Sequence, residues 1–373
     1  MLLRRRSSWI SLALVLVAFF YLLSYLRVIF STPYYGVSPS EGPLFDTTIF
    51  RPGIPKPANE TYSRTLVMAR LEDEDISWIA QELPDLNTAI YVVDRPDSGL
   101  PANKGHEAMA YLTYIIDHYD NLPDVALFFH PHKVAWHNNI LLDVDTATTI
   151  KRLSSAHVIR QGYMNSRCHL DPGCPHWLHV DRSSWRYDLQ RRPEEPALTS
   201  EVFHALHPDA PAIPPAISQP CCAQFAVSRD RILSRPRSTY VHYRDWLLNT
   251  TLDDQTSGRL MEYSWQYIFT GNFEFCPAQH VCYCDGYGIC FGGESPLRDW
   301  LRVLRQKELV DEKLVALWNQ GKADSDRYRR LATESERYAA ELDRRRTEAI
   351  AHGDDPRNRA AECGREWNDG DGF

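Results

Sequence analysis

Basic charge is what this sequence lacks most plainly. Lysine and arginine number 41 against 49 aspartates and glutamates, giving a formal net charge of −8. Wrapping a nucleic acid requires a field of the opposite sign, so that class of partner is excluded. No Cys-x-x-Cys pair occurs, so the usual spacing of structural zinc ligands is missing as well. No internal repeat and no sustained heptad is present. The charged stretch after Gly293 therefore reads as a solvated helix or disordered extension rather than a coiled coil.

What is there begins with an anchor. Arg4, Arg5 and Arg6 precede an uncharged run from Ser7 to Leu26, about the length that spans a hydrocarbon core. Arg27, Val28, Ile29 and Phe30 follow in place of the small residues of a signal cleavage site. The arginines favour a cytoplasmic N-terminus. The expected organisation is a tail over 1–6, a transmembrane anchor over 7–30 and everything beyond on the lumenal side. Two sequons, Asn59-Glu60-Thr61 and Asn249-Thr250-Thr251, agree with that side. So do the cysteines: all except Cys363 fall between Cys168 and Cys290 in local clusters, which suggests disulfides in an oxidising compartment. Their odd number leaves a thiol over, for which Cys363 is the natural candidate.

Prolines 33, 39, 43, 52, 55 and 57 make residues 31–61 a stalk. Residues 62–293 then alternate in pattern. Leu66–Ala69, Ala89–Val93 and Val125–Phe129 are short apolar runs that read as buried strands. Between them, helical spacing recurs over Asp75–Leu83 and from a cap at Asn103 to Tyr119. Strand, helix, strand, helix, strand signals a parallel α/β sheet with right-handed crossovers. Lys151–Pro220 shows no pattern. Gln224–Ser228 reads as a further strand, Ser257–Phe269 as a helix, and Cys276–Cys290 as a cysteine-rich knot closing the domain. Residues 294–373 form the charged extension and polar tail.

Ligands of open α/β sheets bind beyond the carboxyl ends of strands, which selects three segments. The acids of 70-RLEDED-75 read best as a solvated face. Asn103, Lys104 and Gly105 open a helix, where free amides and a lysine suit a phosphate as well as a plain cap. His130 and His132, with His137 one turn on, lie where two imidazoles at i and i+2 would share a face. Neutral imidazoles there would suit zinc or manganese, and imidazolium a diphosphate. Asp143 and Asp145 could add ligands, although Asp145 is also placed to cap the helix from Thr146. On the 257–269 helix, Glu262 near Arg259 could act as general base, with Asp253 and Asp254 as rivals. Arg229, Arg231, Arg235 and Arg237 form a basic strip suited to phosphate or a polyanionic glycan.

The segments 103-NKGHEAMAYLTYII-116, 222-CAQFAVSRDRILSRP-236, 244-RDWLLNT-250, 258-GRLMEYSWQYIF-269 and 282-CYCDGYGIC-290 resemble a fungal family catalogued as a domain of unknown function. Its members often carry an N-terminal anchor. A second resemblance, to GT-A-type glycosyltransferases and more closely to rhamnan-synthesis transferases, rests on Asn103-Lys104-Gly105-His106-Glu107 at the helix start. His130-Pro131-His132-Lys133 follows the next strand, Gln224–Arg229 matches the acceptor-side strand, and Glu262 the base-bearing helix. The chain departs from GT-A enzymes in having His-x-His where they place Asp-x-Asp.

That resemblance implies a GT-A-like, Rossmann-related mixed sheet flanked by helices, with a disulfide-rich C-terminal cap. It further implies a type II membrane protein of the Golgi or ER that transfers sugar from a nucleotide-sugar donor to a glycan or lipid acceptor. Glu262, or Asp254, would be catalytic. Asn103, Lys104, Gly105, His130, His132, Lys133 and Arg259 would hold the donor, and His130, His132 and His137 a manganese or zinc ion. The competing readings are a catalytically silent glycan-binding scaffold and a metal-dependent hydrolase using the histidines with Asp143 or Asp145.

Overall fold

The computed structural model describes residues 49–180, 195–196, 198–210 and 212–372. The expected anchor and most of the stalk lie outside them. Among the described residues no helix is long and apolar enough to cross a membrane.

The strand patterns fold as a five-stranded mixed sheet. β1 (Arg64–Arg70) lies between β2 (Asn87–Val92) and β3 (Val125–Phe128), parallel to both. β4 (Tyr163–Asn165) is the far edge. A short pair, β5 (Leu178–His179) and β6 (Ala216–Ile217), stands apart. β7 (Phe225–Ser228) runs antiparallel between β3 and β4, completing the order β2-β1-β3-β7-β4.

The central strands are apolar along their whole length because both faces are covered. Alternation sends Val67, Ala126, Phe128, Phe225 and Val227 to one side and Leu66, Met68, Val125, Leu127 and Ala226 to the other. The first side packs against α2 (Glu107–Asp117), α7 (Arg237–Asn249), α8 (Asp254–Glu262) and α9 (Trp265–Thr270). The second packs against α3 (Thr146–Arg152), α4 (Ser155–Gln161) and α10 (Gln279–Tyr287). α1 (Ser77–Glu82), α5 (Ser200–Leu206) and α6 (Arg229–Leu233) complete the layers.

Three expectations need correction. The segment 257–269 is two helices, broken after Glu262. Lys151–Pro220 holds α4, α5 and the edge strand β4, elements too short to show a period. The charged extension is neither loose nor solvated on all sides. It forms a hairpin of α11 (Glu294–Asn319) and α12 (Asp326–Gly353), followed by α13 (Pro356–Glu362). Leu297, Trp300, Leu342 and Ala349 join the second core, and Trp300 Nε1 donates to the Leu342 carbonyl at 3.0 Å. Pairs of both signs, such as Arg344–Glu348, cover the outer faces and mask that narrow apolar stripe in the sequence.

Four disulfides join Cys168–Cys282, Cys174–Cys276, Cys221–Cys222 and Cys284–Cys290, and Cys363 is free. The cysteine-rich knot is the helix α10, tied at both ends. The tail then reaches back to the domain. Asp285, with 3% of its side chain exposed, meets His157 Nδ1 at 2.6 Å, Arg160 at 2.8 Å and Arg365 at 2.9 Å.

Candidate functional site

Two glycines set the turn that opens α2. Gly105 sits at φ +78°, and a Cβ there would run into Leu247 of α7. Gly258 of α8 lies so close to the same turn that a Cβ would overlap the His106 ring. α2 consequently starts at Glu107, four residues after Asn103, and has no side-chain cap. Asn103 itself is exposed. The amides of Gly105 and His106, expected to meet a phosphate, instead donate to Asp254 Oδ1 at 2.7 and 3.2 Å. Lys104 Nζ donates to the Thr250 carbonyl at 2.5 Å. This turn is therefore a clamp between α2 and α8, with Asp254 its fastener.

Glu107 lies in the first turn of α2. Burial pushes its carboxyl up to about 8; its own N–H opposes this, while the charges of Glu262 and Asp254 add to it against Arg259. It is thus protonated at neutral pH.

β3 ends at Phe128, so the two-residue alternation does not extend to His130 and His132, and the pair does not share a face. His130 N donates to Gln224 Oε1 at 3.1 Å. Its Nδ1 lies 3.3 Å from His137 Nε2, and its own Nε2 is buried with no hydrogen-bond partner. Burial first, then His137, His132 and His106, lower His130 to about 3. Burial, Arg167 and His132 lower His137 to about 4. Both rings are neutral at physiological pH, and one shared hydrogen orders the pair. His132 turns outward to Glu74 Oε1 at 3.3 Å. Lys133 pairs with Glu82, which removes it from the cleft. Asp145 caps α3 through the Thr148 amide at 2.6 Å, and Asp143 pairs with Arg346.

Glu262, in the last turn of α8, is 6% exposed. Its Oε1 accepts from the Cys222 amide at 2.6 Å and its Oε2 from Arg259 Nη1 at 2.9 Å. Arg259 Nε also faces Glu195 at 3.4 Å. With both oxygens engaged, Glu262 holds the Cys221–Cys222 corner more readily than it accepts a substrate proton. Next to that corner lies Arg167. Its guanidinium donates to Cys221 Sγ and to the Asp171 carbonyl, and stacks 5.2 Å from the Trp136 ring. Trp136 is 68% exposed.

The sequence reading missed Glu107 as a buried acid, and it missed Arg167, Trp136 and the adjacent-cysteine bridge. Only the bridge carried a local signal, in the Cys221-Cys222 dipeptide. As for the basic strip, Arg231 and Arg235 are buried and donate to the Phe269 and Ile268 carbonyls, so they brace α9.

Among the described residues, two groups bring three possible metal-ligand atoms within 4.8 Å of one another: Cys221, Cys222 and Glu262, and Cys284, Cys290 and Glu362. All four sulfurs are in disulfides. His130, His132 and His137 do not converge in this way; His130 and His137 alone could share an ion.

These features define an α/β domain with a mixed sheet flanked by helices and a disulfide-bonded C-terminal half. The chain belongs to the family described as protein of unknown function (DUF3431), whose model matches residues 66–285. No curated protein and no solved structure matches it.

Proposed function

We propose that this protein is a membrane-anchored, lumenal glycosyltransferase-like enzyme that moves a sugar from a nucleotide-sugar donor to a glycan or lipid acceptor. The observation that carries the reading is the buried, unpartnered Nε2 of His130, neutral and held by His137. In this reading His130 Nε2, rather than Glu262, takes the proton of the acceptor hydroxyl as its oxygen bonds to the anomeric carbon. The bond from that carbon to the diphosphate breaks, and Arg167, which has no carboxylate partner among the described residues, meets the developing charge. A divalent ion held by His130 and His137 would supply further positive charge. The exposed Trp136 ring offers a flat face for a sugar or base.

The lumenal assignment is supported by the uncharged run from Ser7 to Leu26 and by the exposure of Asn59 and Asn249. It predicts a carbonate-resistant membrane protein whose mobility shifts on glycosidase treatment. The activity is tested by titrating a panel of nucleotide sugars, with and without manganese, and measuring donor hydrolysis and transfer. One donor should bind and turn over, and His130→Ala should cut turnover at least 100-fold. A folded wild-type protein that binds no donor overturns the reading. Donor binding with turnover unaffected by His130→Ala overturns the role of that imidazole.

A further inference from the structure

At the opposite, amino end of the parallel strands lies a cavity of about 410 Å³. Its walls include Tyr62, Arg64, Glu82, Asp85, Asn87 and Lys151. Arg64 opens β1 and is largely covered. Its Nη2 donates to the Ile150 carbonyl in the last turn of α3 at 2.6 Å, which caps that helix. Its Nε is buried with no partner, and among the described residues no carboxylate lies within ion-pair distance of it. Burial lowers its pKa to about 10, with no neighbouring charge opposing the shift.

A covered guanidinium with no counter-charge is costly to the fold. Glu82 in the wall does not relieve it, being taken by Lys133 and by Lys151 at 3.0 Å, and Asp85 makes no ion pair with it. The charges of the wall balance, Glu82 and Asp85 against Lys151 and Arg64, but neither carboxylate is in an ion pair with Arg64. Tyr62 Oη accepts from the Lys56 amide at 2.8 Å, so its own hydrogen is free to donate. Planar fork, ammonium and phenol together suit a tetrahedral oxyanion better than a single carboxylate.

We propose that this cavity binds a phosphate group, either inorganic phosphate or a phosphate monoester, with Arg64 as its principal contact. The site lies at the other end of the strands from the His130 cleft and stands whether or not the glycosyltransferase reading does.

The test is thermal unfolding and calorimetry of the full-length protein titrated with inorganic phosphate in the millimolar range at constant ionic strength. The wild type should gain several degrees in Tm, saturably. Arg64→Met should start with a higher Tm than the wild type, because it removes an uncompensated charge, and should bind phosphate at least tenfold more weakly. Arg64→Lys, which keeps charge but not the fork, should fold and bind with intermediate affinity. A sugar phosphate that binds tighter than inorganic phosphate identifies a monoester as the occupant; equal affinity identifies the free ion. The proposal is overturned if the wild type shows no saturable response, if Arg64→Met responds as the wild type does, or if that variant is destabilised and Arg64→Lys binds nothing. The last result would make Arg64 only a cap for α3.

Discussion

Removing the two long-range disulfides, singly and together, tests how the C-terminal half is held. Cys168–Cys282 and Cys174–Cys276 are separated by 114 and 102 residues and are nested, one inside the other. In the unfolded chain either bond alone closes a loop of about a hundred residues, worth about 4.8 kcal/mol of lost conformational entropy. With one in place, the other closes only the small ring made of 168–174 and 276–282, worth about 3 kcal/mol. Each single removal, as Cys168→Ala/Cys282→Ala or Cys174→Ala/Cys276→Ala, should therefore cost about 3 kcal/mol, plus about 1 kcal/mol for the small cavity left at these buried sites. Removing both should cost more than the sum of the singles, since the last long closure is then lost. That total approaches the whole stability of a typical domain. Urea unfolding monitored by tryptophan fluorescence measures all three variants. A single variant that loses well over 5 kcal/mol, or a double variant that loses no more than the two singles combined, refutes the nested-loop reasoning.

Burial alone would raise the Asp285 carboxyl, but the His157 hydrogen bond and the charges of His157, Arg160 and Arg365 outweigh it and hold the group well below the usual carboxylate range. Because the folded value lies below the unfolded one, near 4, its stabilisation is complete above that pH and lost as the pH falls. Asp285→Asn should cost about 3–5 kcal/mol at pH 7 by leaving buried cations unpaired, and should flatten the acid limb of the stability profile; an unchanged limb removes the argument. Gly258→Ala should lower stability by about 1–3 kcal/mol by forcing the His106 ring aside, and an unaltered Tm would show that the α2 and α8 clamp is looser than described. Cys363 should count as one thiol per chain that reacts with a disulfide reagent only after unfolding. Burial, with the nearby Asp285 charge, pushes its pKa up to about 12; rapid labelling of the native protein contradicts this.

Some of this architecture was legible along the chain. The runs at 66–69, 89–93, 125–129 and 224–228 are strands of one sheet, because a strand covered on both faces must be apolar throughout and turn residues bound it. The interval helices follow from their 3.6-residue stripe. Asp145 announced itself as a cap, and the cysteine clusters announced disulfides with Cys363 left over. These are local signals, set within a few residues by backbone sterics and hydrophobic patterning.

The site was legible only in part. His130 and His137 meet because a loop folds back after β3 stops at Phe128, a distance in space that no spacing rule supplies. His132 and Lys133, their neighbours in sequence, are drawn off to Glu74 and Glu82. Glu107 looked like an ordinary first-turn acid until α8 packed over it and raised its proton affinity. Arg167 and Trp136 come together from segments with no pattern. Sequence alone determined which segments become strands and helices and that sulfurs would pair. Tertiary packing decided the partner of each cysteine, the docking of the charged hairpin and the proton affinities of Glu107, His130 and His137, because all three depend on which distant surfaces exclude water from one another.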